Sequence, residues 1–159
     1  MTPHLYNHLN FSWLINNELA GSKGPMTVEH LQFLKNNGIK ALVRMSDYPK
    51  IDPDSIRKEG LIDCHQPVED MLAPSIAQIT YMLDFIESCL NENKPVGVSC
   101  DGGIGRTATL LSCFLVSKGA SVEDAITQVK NKRPGSILSV EQQKAIEDYA
   151  KHIKYASEY

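Results

Sequence analysis

Cys100 and Arg106 bracket five residues, Asp101, Gly102, Gly103, Ile104 and Gly105, and Thr107 follows directly. A cysteine attacks only as its thiolate. A guanidinium is a planar fork that matches two phosphoryl oxygens. Joined by a glycine-rich turn, the two describe a pocket for a phosphate dianion with a nucleophile at its floor. Gly102, Gly103 and Gly105 permit positive φ and close approach of the backbone to the anion. Thr107 can donate its hydroxyl hydrogen to the sulfur. The match of Arg106 would tighten as the phosphoryl group becomes trigonal bipyramidal. Cys100, Arg106 and Thr107 are thus candidate catalytic residues. Asp101, Gly102, Gly103, Ile104, Gly105 and Arg106 are candidates for binding the substrate's phosphate. A Walker-type nucleotide loop does not fit, because its Lys-Ser/Thr pair is missing.

The flanking residues supply the frame. Val96-Gly97-Val98-Ser99 reads as a short buried strand begun by Pro95, and Ala108 to Val116 as a buried helix. Strand, tight turn and helix N-terminus place the helix dipole and unpaired N–H groups at one point, which favours a thiolate there. Upstream, Phe11 to Ile15 and Glu18 to Ala20 read as strands around a turn at Asn16-Asn17, with Gly21 to Pro25 a loop. Thr27 can cap a helix carrying Val28, Leu31 and Leu34 that stops at Gly38. Ile39 to Met45 suits a buried strand, Asp47 to Asp54 a loop, Ser55 to Lys58 a short helix and Leu61 to Gln66 another strand. Pro67 to Pro74 is a loop, and Ile76, Ile79, Leu83, Phe85, Ile86 and Leu90 form a helical stripe. Ser121 with Asp124 and Ser139 with Gln142 open two further helices, the first ended by Arg133-Pro134-Gly135. Strands alternating with helices predict an α/β fold: one domain over 1–159, with a central, mostly parallel twisted sheet flanked by helices. The cysteine loop then lies between a central strand and a helix, at the carboxyl end where such sheets bind ligands.

Composition narrows the partners. The 159 residues carry a net charge of −3, so nothing favours nucleic acid or an anionic membrane. Met1 to His8 shows no basic stretch before an apolar run, and no span is long enough for a membrane, so a cytoplasmic monomer is expected. Cys64, Cys89, Cys100 and Cys113 follow no disulfide or zinc spacing and read as reduced thiols; no metal or cofactor is expected.

The Cys100–Thr107 segment resembles the signature of the cysteine-based protein tyrosine phosphatase superfamily: His-Cys, five residues, then Arg-Ser/Thr. Asn10 to Trp13, Leu19-Ala20-Gly21, Arg133 to Ile137 and Glu141-Gln142 are similar to segments of small atypical dual-specificity phosphatases. The resemblance runs from about Asn10 to about Tyr149. It implies a metal-free, two-step hydrolysis of phosphotyrosine, with phosphoserine and phosphothreonine as further substrates, through a phosphocysteine. Its alternatives are a non-protein phosphate ester (nucleotide, RNA 5′ end or inositol phosphate) and a weakly active phosphate-binding pseudophosphatase. A phosphorylated protein or peptide is the implied partner, with phosphate, sulfate or vanadate as anions for the loop. Asp70, 30 positions before Cys100, occupies the place of the general acid, with Glu69 as its substitute and Asp47 and Asp63 as weaker candidates. Gln142 matches a glutamine that orients the hydrolytic water, beside its capping role.

Other residues read as structural. Trp13 and Phe11 are assigned to the core, Arg44 to a surface salt bridge in preference to a second anion contact, and His65 to strand packing. Lys130, Lys132 and Arg133 are assigned to a solvated turn that complements a helix dipole. A Cys64–Cys100 disulfide is the redox alternative. Two residues depart from the family pattern. Ser99 replaces its histidine, which implies an activity optimum at higher pH than in a Ser99→His variant, although serine can still hydrogen-bond. Asp101 sets a carboxylate beside the anion site and would repel a dianion unless it points away.

Overall fold

Strands β1 (Ser12–Ile15), β2 (Leu19–Lys23), β3 (Ala41–Arg44), β4 (Ile62–His65) and β5 (Val96–Cys100) form one sheet in the order β1-β2-β5-β3-β4. The computed structural model describes residues 8–48 and 50–158. The sequence reading of residues 1–7, and Pro49 within the expected loop, lie outside them. The β1–β2 pair is antiparallel, and β2, β5, β3 and β4 are parallel. Asn17, at φ 62°, turns the chain between β1 and β2, a conformation asparagine tolerates.

Alternation along the strands divides the interior into two layers. Leu19, Ala41, Val43, Val96 and Val98 point into the larger core. Ala20 and Leu42 point into the smaller one, with Phe11, Leu31, Leu34 and Ile56. Helices α1 (Val28–Asn36) and α2 (Pro53–Lys58) cover that smaller layer. On the other face lie α3 (Ile76–Asn91), α4 (Gly105–Ser117), α5 (Val122–Lys132) and α6 (Val140–Glu158). Every residue of α4 from Arg106 to Val116 is buried, because α5 and α6 pack on the side that the sheet leaves free. Each fully buried Leu there contributes about 2 kcal/mol. The layers fix the strand beneath and the helix behind the cysteine loop, so the loop ends are rigid.

Caps account for the helix starts. Thr27 accepts from the His30 N–H and Ser121 from the Asp124 N–H. Ser75 and Gln78 form a reciprocal capping box at α3. Strand β2 runs through Gly21-Ser22-Lys23, where the sequence suggested a loop. Parallel pairing with β5 extends it, setting Ser22 opposite Ser99 and Lys23 opposite Cys100. Phe11 is buried in the smaller core with Trp13 edge-on against it, as expected. Among the described residues no helix is long and apolar enough to cross a membrane.

Candidate active site

Parallel strands bring their carboxyl ends to one edge, and three loops leave that edge side by side. After β3 comes Met45 to Asp47, after β4 Gln66 to Asp70, and after β5 the cysteine loop. Backbone bonds stitch them together: Met45 N–H donates to Ser99 O at 2.9 Å, and Val68 N–H to Met45 O at 3.0 Å. Asp47, Asp70 and Cys100 are far apart in sequence but meet for this reason.

Arg106 stands at their centre, 2% exposed. Its Nη1 donates to Val68 O at 2.7 Å and to Asp47 Oδ1 at 3.3 Å. Its Nη2 faces Asp101 Oδ2 at 3.2 Å and Asp70 Oδ1 at 3.5 Å. Burial alone would lower the Arg106 pKa; the negative charge of a Cys100 thiolate and the Asp101 hydrogen bond and charge outweigh it, so the net shift is upward. Arg106 therefore stays a cation. Thr107 Oγ1 donates to Cys100 Sγ at 3.1 Å, as the residue types suggested. Ile104, the N-cap of α4, makes no side-chain cap, so it does not occupy the first N–H groups of that helix. Asp70, Cys100, Asp101, Gly102, Ile104, Gly105, Arg106 and Gln142 all line one open cleft of about 460 Å³.

The glycines serve different ends. Gly103 has φ 69°, and a Cβ there would lie 2.7 Å from the Ser22 carbonyl. Gly105 admits the Gln142 carboxamide, whose Oε1 would sit 2.6 Å from an added Cβ. Gly102 has neither a positive φ nor a crowded Cβ position, so the freedom that glycine permits there is not used by the fold. Behind the loop, Arg133 donates to Gly103 O at 2.6 Å, Gly21 O at 2.6 Å, Asn10 O at 3.0 Å and Ser12 Oγ at 2.8 Å.

Residues 20–120 match the family model described as "Polymorphic toxin system, DSP-PTPase phosphatase". The chain belongs to this DSP-PTPase phosphatase family. It is similar to the phosphatidylglycerophosphate phosphatase PTPMT1 of Arabidopsis thaliana, at 31% identity over 76% of this chain and 37% of that protein. It is also similar to cyclin-dependent kinase inhibitor 3 of Sus scrofa, at 29% identity over 60% of this chain and 47% of that one. The chain thus spans about half or less of these relatives' lengths. The crystal structure of Tk-PTP in the active form superposes with a TM-score of 0.83 at 27% identity, covering 95% of this chain and 99% of that one. The α/β fold and the resemblance to dual-specificity phosphatases both stand on these likenesses.

Within the DSP-PTPase frame, several sequence assignments change. Arg133 is not a solvated turn residue: it is 2% exposed and braces the loop through Gly103, whereas Lys130 and Lys132 are exposed as expected. Asp101 does not point away from the anion site but pairs with Arg106. Asp47, ranked low, sits on Arg106 as well. Arg44 does form a salt bridge, bidentate to Asp63 of the adjacent strand β4 at 2.7 Å, but the arginine is buried and not at the surface. That contact removes Asp63 from the acid candidates. His65 Nε2 lies 2.7 Å from Ser46 O, a strand-packing role as read. Ser99 Oγ is buried and makes no hydrogen bond among the described residues, so serine does not replace the family histidine there even as a hydrogen-bonding group.

The thiols differ in setting. Burial pushes Cys113 up to about 12 and Cys64 up to about 11. Strand β3 lies between Cys64 on β4 and Cys100 on β5, and Cys64 aligns through Val43 with Val98. Two strand spacings, about 10 Å, exceed the Cα separation a disulfide spans. The Cys64–Cys100 bridge is therefore excluded without movement of the sheet. No sequence signal marked Arg133 as a brace, since its partners are backbone carbonyls of distant segments.

Proposed function

We propose that residues 1–159 form one phosphatase domain that hydrolyses phosphotyrosine, with phosphoserine and phosphothreonine as further substrates, through a phosphocysteine and without a metal. The convergence of Cys100, the α4 N-terminus, Arg106 and Asp70 on one cleft carries this reading. In the first step Cys100 Sγ attacks phosphorus as the S–P bond forms and the ester P–O bond breaks. Asp70 gives its proton to the leaving oxygen. In the second, Asp70 as carboxylate takes a proton from water, whose oxygen attacks phosphorus while the S–P bond breaks. Orthophosphate leaves and the thiolate is restored. Arg106 and the loop N–H groups stabilise the equatorial oxygens in both steps. Thr107 donates to the thiolate when it is the leaving group, and Gln142 faces the same cleft where water would enter. Asp101, Gly102, Ile104 and Gly105 form the wall around the phosphate, and Gly103 completes the turn with its carbonyl held by Arg133.

The apolar Ile104 and Ile137 at the mouth suit the ring of phosphotyrosine. We read the protein as a cytoplasmic monomer acting on a phosphorylated protein, in keeping with its net charge of −3. A second reading is a phospholipid substrate: the similar Arabidopsis protein is named a phosphatidylglycerophosphate phosphatase, and the same apolar mouth would take an acyl chain. Asp101 and Asp70 count against any substrate with a second phosphate, including the diester of phosphatidylglycerophosphate, which is why the phosphoprotein reading comes first. The test is hydrolysis of para-nitrophenyl phosphate in excess EDTA. Turnover should persist, be inhibited by vanadate and vanish in Cys100→Ser. Loss of turnover on chelation, or survival of activity in that variant, overturns the mechanism. A panel of phosphotyrosine peptide, phosphoserine peptide and phosphatidylglycerophosphate then separates the two substrate classes.

A further inference from the structure

The turn that carries Asp70 is tied to the start of α6 at two points. Ser139 Oγ donates to Met71 O at 2.8 Å, and Gln142 Nε2 donates to Leu72 O at 3.1 Å. Ser139 and Gln142 also cap α6 reciprocally: Ser139 N–H donates to Gln142 Oε1 at 2.9 Å, and Gln142 N–H to Ser139 Oγ at 3.2 Å. The Gln142 side chain is buried, and it packs where Gly105 lacks a Cβ. One carboxamide thus joins the Asp70 turn, the α6 start and the cysteine-loop end. The turn itself is bent: Met71 is a non-glycine residue at φ 68°, and its N–H donates to Asp70 Oδ1 at 2.9 Å. Such a conformation persists only where surrounding contacts hold it. Asp70 is mostly exposed yet lies 3.5 Å from Arg106 Nη2, so packing around its own side chain does little to fix it.

We propose that Ser139 and Gln142 are positioning residues that latch the Asp70 turn onto α6 and so hold the acid at the cleft. The proposal rests on Asp70 being the general acid. It also gives the glutamine a different task from orienting water. Oε1 and one N–H of its amide are already committed to the cap and to Leu72.

The experiment reads kcat/KM, which reports the first step, on two aryl phosphates. Phenyl phosphate needs a proton on its leaving oxygen, whereas dinitrophenyl phosphate does not. Asp70→Asn should lose about 100-fold on the first ester and little on the second. Gln142→Glu keeps an oxygen for the Ser139 N–H but sets an acceptor against Leu72 O. It and Ser139→Ala should lose about tenfold on phenyl phosphate and less than about twofold on dinitrophenyl phosphate. Ser139→Thr, which keeps the hydroxyl, should restore the ratio. Adding Gln142→Glu to Asp70→Asn should cost nothing further. An unchanged ratio in Gln142→Glu and Ser139→Ala, while Asp70→Asn changes it, overturns the latch. So does a normal kcat/KM with a burst of phenol, the signature of a water-orienting glutamine alone. If Asp70→Asn leaves the ratio unchanged, the acid assignment fails instead. Amide hydrogen exchange of residues 70–73 then decides the latch without turnover. Faster exchange in Gln142→Glu and Ser139→Ala supports it, and unchanged exchange overturns it.

Discussion

Arg106 and Arg133 both reach the cysteine loop, and each is 2% exposed. Their surroundings differ. Arg133 donates to three backbone carbonyls and a serine hydroxyl. Those oxygens are neutral and belong to the folded chain, so the guanidinium is a brace. Arg106 spends Nη1 on Val68 O and Asp47 but turns Nη2 to Asp70 and Asp101. A carboxylate is a rival that a phosphoryl group can displace, since both are anionic oxygens seeking the same fork. On the proposed mechanism, one arginine is committed to structure and the other is held ready for an anion. The same residue type, buried to the same degree, takes opposite work from the charge of its acceptors.

That contrast breaks if the two arginines respond alike to substitution. Arg106→Lys should cost about 1,000-fold in turnover on an aryl phosphate. Its urea midpoint should stay near that of the parent protein. Equal losses of activity and stability would show that Arg106 is another brace.

Arg133→Met should act chiefly on stability. It strips donors from Asn10 O, Gly21 O and Gly103 O, and should lower the unfolding free energy by about 3 kcal/mol. Activity should fall only about tenfold, through loosening at Gly103. Urea unfolding beside steady-state kinetics reads both, and an unaltered midpoint would remove Arg133 from the frame.

Asp101→Asn sharpens the comparison with the smallest effect. It removes one rival from Arg106 Nη2, so vanadate inhibition should strengthen about threefold with kcat little changed. The modest figure follows from the exposure of Asp101, which screens its charge. Weaker vanadate binding would mean that Asp101 orients the fork more than it competes for it.

Local order made part of the site legible. Cys100, Arg106 and Thr107 lie within eight residues on a strand–turn–helix unit, so their relation depends on little else. The Ser139–Gln142 cap was readable for the same reason, because both partners lie in one turn. Arg133 was misread because a charged residue at a helix end ordinarily faces water, and nothing nearby in sequence shows the carbonyls it meets. The direction of Asp101 was left open by the sequence, because a side chain's direction on a glycine loop is set by the loop path and not by its neighbours' identities; the structure turns it onto Arg106. Strand β2 was cut short because Gly21-Ser22-Lys23 has little strand propensity of its own. Pairing with β5 supplies what it lacks.

By itself the sequence determined the α/β alternation, the thiol and guanidinium of Cys100 and Arg106 on their turn, and the caps that start the helices. Each follows from contacts within a few residues, where backbone geometry and side-chain type suffice. Only the tertiary structure decided that Asp47, Asp70 and Cys100 share one edge, that Arg133 braces Gly103, and that Gln142 reaches Leu72. Those relations come from strand order β1-β2-β5-β3-β4, which sets side by side three loops that the chain keeps far apart. Strand order is chosen by the packing of two hydrophobic layers, a property of the whole chain that no single segment carries.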